Sequence, residues 1–167
     1  MIVIQKVNNY IELNKKLLKL IDKIPNNPLI ETGPISHTDW NLPRTFTREY
    51  LNCFIPAIQE QLNNLKNQFR SKEYKIANIW FQQYTQNNYH DWHCHGEANF
   101  ANVYFVELPS NSIGTEILGM NNLNLKEGDL LTFPASLYHR SPKNLTNERK
   151  TVIAFNTNLS DFNGEIN

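Results

Sequence analysis

Cysteine is scarce and charge is balanced, and these two shortages already narrow what the chain can be. Its only cysteines, Cys53 and Cys94, fall in a helix-like segment and in a histidine cluster. Two reduced thiols of that kind fit a cytosolic protein rather than a disulfide scaffold. The 16 basic and 16 acidic residues cancel, so no excess of one sign points to a nucleic-acid or membrane partner. No apolar run approaches the ~20 residues that a membrane-spanning helix needs. The opening residues, Met1 to Val7, carry neither a basic leader nor a signal-like apolar stretch. The expectation is a cytoplasmic protein of a bacterium or a phage-infected cell, because the abundance of Asn, Lys and Ile fits an AT-rich genome such as a phage's. Internal repeats and long linkers are also missing. Of the 167 residues, 40% are hydrophobic, enough for the core of one globular domain over residues 1–167.

Local patterning divides the chain in two. Residues 1–6 alternate weakly, as a short strand does. Asn8 or Asn9 is placed to cap a helix through its short amide side chain. Tyr10, Leu13, Leu17, Leu20, Ile21 and Ile24 then recur at helical spacing until Pro25. Residues 26–46 hold three prolines and read as an ordered loop, with His37 isolated from the other histidines. Leu51, Phe54, Ile55, Ile58, Leu62, Leu65 and Phe69 predict a second helix over residues 47–70, kinked or restarted near Pro56. From residue 74 onward the pattern is that of strands: 75–84, 101–108, 114–118, 123–125, 130–133 and 151–157. A helical scaffold over about 8–70 and a β-sandwich or barrel over about 74–158 make an α+β chain.

Chemistry concentrates in residues 89–106. Three of the five histidines, His90, His93 and His95, lie there, and His139 follows the turn Glu127-Gly-Asp129 and its strand. Alternate side chains of a strand share a face, so His93 and His95 can address one metal ion while Cys94 points away. A third imidazole from a distant strand, His139, would complete one face of a coordination sphere, and imidazole suits iron, zinc, copper or nickel.

The ordered series Tyr84…His93-x-His95…Gly128-Asp129…Phe133-Pro134…His139…Arg149-x-Thr151 resembles the Fe(II)- and 2-oxoglutarate-dependent dioxygenases. It looks closest to their prolyl-hydroxylase-like branch, in particular its small phage and bacterial members. The resemblance covers residues 76–158, about half the chain, and implies a double-stranded β-helix, or jelly-roll, covered by the N-terminal helices. It implies an enzyme that uses iron and molecular oxygen to oxidise 2-oxoglutarate to succinate and carbon dioxide while hydroxylating a substrate, either a protein side chain or a small metabolite. Tyr84 stands nine residues before His93, where the family places a tyrosine that reaches the cosubstrate. Arg149 stands ten residues after His139, where the family carries an arginine or lysine for the far carboxylate. A guanidinium fork suits that task, and Thr151 would add a hydroxyl on the same strand face. Lys150 is expected to face the other way.

One position departs from the pattern. Most such enzymes carry His-x-Asp or His-x-Glu, whereas the second member here is His95. The metal set is then His93, His95 and His139, or a carboxylate from Glu97 or Asp91 replaces one imidazole. Gln82 and Asn102 are candidates to face the cosubstrate. Trp80, Trp92, Tyr104 and Phe105 are candidates for the barrel mouth, and Arg140 should point away from the metal. Two other readings compete: a cupin-like three-histidine metalloprotein that does not use 2-oxoglutarate, and a non-enzymatic jelly-roll that binds a ligand.

Overall fold

Helical spacing early and alternation later resolve into three helices and nine strands among the described residues, 1–30 and 34–162, in a computed structural model. In chain order these are β1 (Val3–Lys6), α1 (Tyr10–Ile21), β2 (His37–Thr38), α2 (Leu51–Ala57), α3 (Gln59–Gln68), β3 (Ser71–Tyr84) and β4 (His90–His93). They continue with β5 (Phe100–Glu107), β6 (Glu116–Ile117), β7 (Asp129–Pro134), β8 (His139–Ser141) and β9 (Lys150–Phe162). The larger sheet has the order β1-β7-β5-β9-β3-β2 and the smaller one β4-β8-β6. All the strand pairs are antiparallel, and the arrangement is a jelly-roll.

The two faces of the large sheet bury different partners. Leu17 and Ile21 of α1, with Phe54, Ile58 and Leu62 of the α2–α3 segment, pack on Phe81, Tyr104, Leu130, Ile153 and Phe155. The opposite face buries Ala101, Val103, Phe105, Leu131, Phe133 and Val152, joined by Ile117 from the small sheet. Each fully buried aliphatic or phenyl group contributes about 1.5–3 kcal/mol, so both layers are core. Buried Asn14 ties α1 to β5: it donates to the Val106 carbonyl at 2.9 Å and accepts from the Tyr104 hydroxyl at 2.6 Å. Gly128 (φ +79°) turns the chain into β7, where an added Cβ would stand 2.3 Å from the Tyr10 ring, so only glycine fits.

Several boundaries differ from expectation. The long second helix is two, because Pro56 has no N–H to continue the ladder and the chain breaks at Ile58 (φ −101°, ψ 6°). Asn9 does precede α1, but in the left-handed region and without a side-chain capping bond. Helix α1 ends at Ile21, although Ile24 stays buried beyond it. Residues 123–125 form no strand, and β9 is longer than expected at both ends. No helix among the described residues is long and apolar enough to cross a membrane.

Candidate active site

Strands β4 and β8 pair with His93 opposite His139, and His95 follows β4 by two residues. Its N–H is held by the Ala135 carbonyl at 2.8 Å. One nitrogen from each of these imidazoles lies within 4.8 Å of the others, a grouping that can hold one metal ion. Glu97 and Asp91 are exposed and stand outside that group. Asp91 instead caps the Trp92 N–H with its carboxylate at 2.8 Å. The candidate donors that converge among the described residues are therefore three imidazoles.

Their outer nitrogens are positioned. His93 Nδ1 donates to the Asp91 carbonyl at 2.7 Å and His139 Nδ1 to the Leu137 carbonyl at 2.9 Å. Each bond leaves the other ring nitrogen with its lone pair free for a metal. His95 Nδ1 lies 3.2 Å from the Asn156 amide, whose own Oδ1 is buried without a partner. Turning that amide over gives Oδ1 the Nδ1–H of His95 and frees the same nitrogen here too. Burial, and then the neighbouring His93, push His139 down to about 3 and His95 to about 4. The imidazoles are neutral at pH 7, as ligation requires.

A fourth histidine joins the cluster. A bulge between His90 and His93 cancels the alternation that would set residues three apart on opposite faces. Their rings stack at 4.0 Å, 23° from parallel. His90 Nδ1 meets the Gln82 amide at 3.3 Å, and Gln82 Oε1 accepts from the Tyr84 hydroxyl at 2.9 Å. Burial raises the Tyr84 pKa and keeps the phenol protonated.

The deep pocket beside the histidines lies between the sheets and is lined by Trp80, Gln82, Tyr84, His139, Ser141 and Lys150, among others. Here the expected assignment is corrected. Lys150 is 1% exposed and points into this pocket, donating to Ser141 Oγ at 2.7 Å, to the Ile113 carbonyl at 3.3 Å and to the Gly114 carbonyl. Arg149 faces the helices. It binds Glu107 at 2.8 Å and Asp22 at 2.9 Å, and Thr151 donates to the same Glu107 carboxylate. The register explains the reversal: Lys150 pairs with Tyr84, and Val152 with Gln82, and partners across a ladder share a face. Even residues of β9 therefore look into the pocket and odd ones toward α1. Burial lowers the Lys150 pKa from 10.5 to about 7, against a raising effect of Glu116. No carboxylate among the described residues lies within 4.0 Å of it.

The other candidates divide. Gln82 faces the pocket, whereas the Asn102 side chain binds Thr157 at 2.7 Å and Thr132 at 2.7 Å on the helix side. Trp80 faces the mouth. Trp92 stacks under Arg140, which pairs with Glu116. Tyr104 and Phe105 are core. His37 binds Gln83 and the Pro25 carbonyl, apart from the cluster. Spacing alone favours Arg149 over its neighbouring candidate Lys150 and leaves His90 unassigned; the register of β9 and the bulge in β4 decide both.

No family model and no curated sequence matches this chain. Solved structures do. An oxidoreductase of the 2OG-Fe(II) oxygenase family from Burkholderia pseudomallei aligns with TM-score 0.72 at 13% identity, over 94% of this chain and 85% of its own. A viral collagen prolyl hydroxylase from Paramecium bursaria Chlorella virus-1, solved with 2OG, aligns at 0.64 and 14%, over 93% and 94%. HygX from Streptomyces hygroscopicus, with nickel, 2-oxoglutarate and hygromycin B bound, aligns at 0.68 and 10%, over 94% and 82%. At these identities the likeness is one of fold: the jelly-roll of the 2OG-Fe(II) oxygenases, here with a three-histidine group.

Proposed function

We propose that this chain is an Fe(II)- and 2-oxoglutarate-dependent dioxygenase that hydroxylates an organic substrate, with His93, His95 and His139 as metal ligands. The observation that carries the reading is Lys150, a buried amine with no carboxylate partner among the described residues, in the pocket that His93 and His139 also line. A buried, unpaired ammonium is strongly unfavourable, and a dicarboxylate spanning metal and lysine removes the penalty. Lys150, with the hydroxyls of Tyr84 and Ser141, would hold the far carboxylate; Arg149 and Thr151 keep the scaffold together. Iron, when bound, supplies oxygen activation coupled to oxidative decarboxylation of the cosubstrate. The chain's share is to orient and to exclude water: Val103, Val152 and Ala154 line the apolar part of the pocket, which strengthens every polar contact inside it.

A second reading has its own support. The set lacks a carboxylate, as in cupin-like metalloproteins that use three histidines without 2-oxoglutarate. The experiment is anaerobic addition of iron(II) followed by 2-oxoglutarate, monitored through the weak visible charge-transfer band of the chelate. A saturable band, lost in His139→Ala, weakened in Lys150→Met and retained in Arg149→Ala, is expected. Metal uptake with no band favours the cupin-like reading, and absence of metal uptake removes both.

A further inference from the structure

A second cavity adjoins the metal site and opens at the mouth. Leu29, Trp40, Trp80, Gln82, His90 and His93 line it, with Cys94 and His95; among the described residues the lining holds no Asp, Glu, Lys or Arg. Trp40 is 49% exposed, yet it is firmly held. Its ring meets Trp80 edge to face at 4.5 Å, and its backbone N–H donates to Thr38 Oγ1 at 3.2 Å. The preceding residue, Asp39, is fully buried, and its carboxylate accepts from Arg48 Nε at 2.7 Å, the Tyr50 hydroxyl at 2.9 Å and the Phe81 N–H at 2.8 Å. A large apolar ring pinned half in water at the rim of a metal pocket is a contact surface awaiting a partner.

The same lining offers one oriented donor. An ammonium can only donate, and Lys150 donates to Ser141 Oγ at 2.7 Å, beside Tyr84 in the same pocket. Tyr84 in turn donates to Gln82 Oε1, which aims the amide nitrogen at His90 Nδ1. His90 Nδ1 therefore accepts, and the proton of neutral His90 is left on Nε2. Stacking on His93 holds the ring plane. His90 and Trp80 line both this cavity and the deep pocket, so the donor stands at their junction.

The geometry points to the class of substrate: an uncharged apolar group, aliphatic or aromatic, seated against Trp40 and Trp80, with a neighbouring carbonyl or hydroxyl oxygen that accepts from His90 Nε2–H. This rests on the dioxygenase reading and adds its substrate pocket. A cationic group would meet no counter-ion among the described lining residues and would lie beside the metal and Lys150. A carboxylate would be drawn past this cavity to those same positive charges.

The test is tryptophan fluorescence of the full chain with iron(II) and 2-oxoglutarate under anaerobic conditions, titrated with N-cyclohexylacetamide, methylcyclohexane, cyclohexylammonium and cyclohexanecarboxylate. The amide should give a saturable change and the two ions none in the same range. Trp40→Ala, at an exposed position, should weaken the amide about tenfold. His90→Phe keeps an aromatic stack but loses the donor. It should weaken the amide about fivefold while leaving methylcyclohexane unchanged, and His90→Gln, which restores a donor, should recover the amide. A merely structural role for His90 would affect both neutral probes alike, and that result overturns the assignment. Equal or tighter binding of an ion, or no saturable change with the amide, overturns it as well. The chelate band recorded in the same cuvette separates the two claims. With the band present, failure of the amide sinks the substrate class alone. With the band absent, amide binding that depends on the His90 donor still supports the pocket while the dioxygenase reading falls.

Discussion

Replacing Lys150 by Met should stabilise the ligand-free protein at pH 7. In the unfolded chain the amine titrates near 10.5, whereas burial brings it to about 7 in the fold. At pH 7 the unfolded amine is fully protonated and the folded one about half so. At about 1.4 kcal/mol per unit, holding this lysine in the pocket costs about 4 kcal/mol. Methionine fills similar space without the charge. It strands Ser141 Oγ and the Ile113 and Gly114 carbonyls, which the lysine now satisfies, at a cost of about 1–2 kcal/mol. The net gain is about 2–3 kcal/mol, a melting temperature higher by roughly 5–10 °C for a chain of this size. The sign with pH is fixed. The folded pKa lies below the unfolded one, so the penalty is fully present below 7, declines as pH rises and vanishes above 10.5. Urea unfolding of both proteins at pH 7, 8.5 and 10 should show the wild type catching up with the variant until the gap closes near pH 10. A variant less stable than wild type at pH 7, or a gap independent of pH, would refute the claim that the ammonium is buried without compensation.

Other expectations follow from the same geometry. Arg149→Ala should leave 2-oxoglutarate affinity within about twofold by calorimetry and lower stability by no more than about 1 kcal/mol, because its pairs with Glu107 and Asp22 are partly solvated. The metal-free protein should lose stability as pH falls from about 6.5 toward 4 in thermal melts. His90, His95 and His139 titrate near 3, 4 and 3 in the fold, so the unfolded chain binds the extra protons in that window. Gly128→Ala should cost at least about 2 kcal/mol in urea unfolding, since it combines a positive φ with a 2.3 Å clash against Tyr10.

The sequence made the layers legible because long elements carry period. Leu17 and Ile21, or Leu62 and Leu65, announce a buried helix face, and the grouping of His93 and His95 could be read from parity. Phase in β9 was not legible. Val152, Ile153, Ala154 and Phe155 are all buried, so both faces of the strand are apolar and alternation offers no clue to which one is the pocket. Counting ten residues from His139 therefore selected Arg149, one position short of the side chain that enters. The short strands β2, β6 and β8 are two or three residues long, too brief for any pattern. They form because neighbours supply the partners: β3 for β2, β4 for β8 and β8 for β6. His90 stayed hidden for a related reason, since a bulge is a property of the ladder rather than of one strand.

The parity of β9 also bears on how such a molecule can change over generations. Its two faces are inherited on one continuous stretch of chain, yet they answer to different demands: even positions to what the pocket must hold, odd positions to what the helices must cover. Substitutions at adjacent codons therefore fall under separate selection. The pocket can drift toward a new ligand through Lys150, Val152, Ala154 and Asn156 while Thr151, Ile153 and Phe155 keep the architecture unaltered.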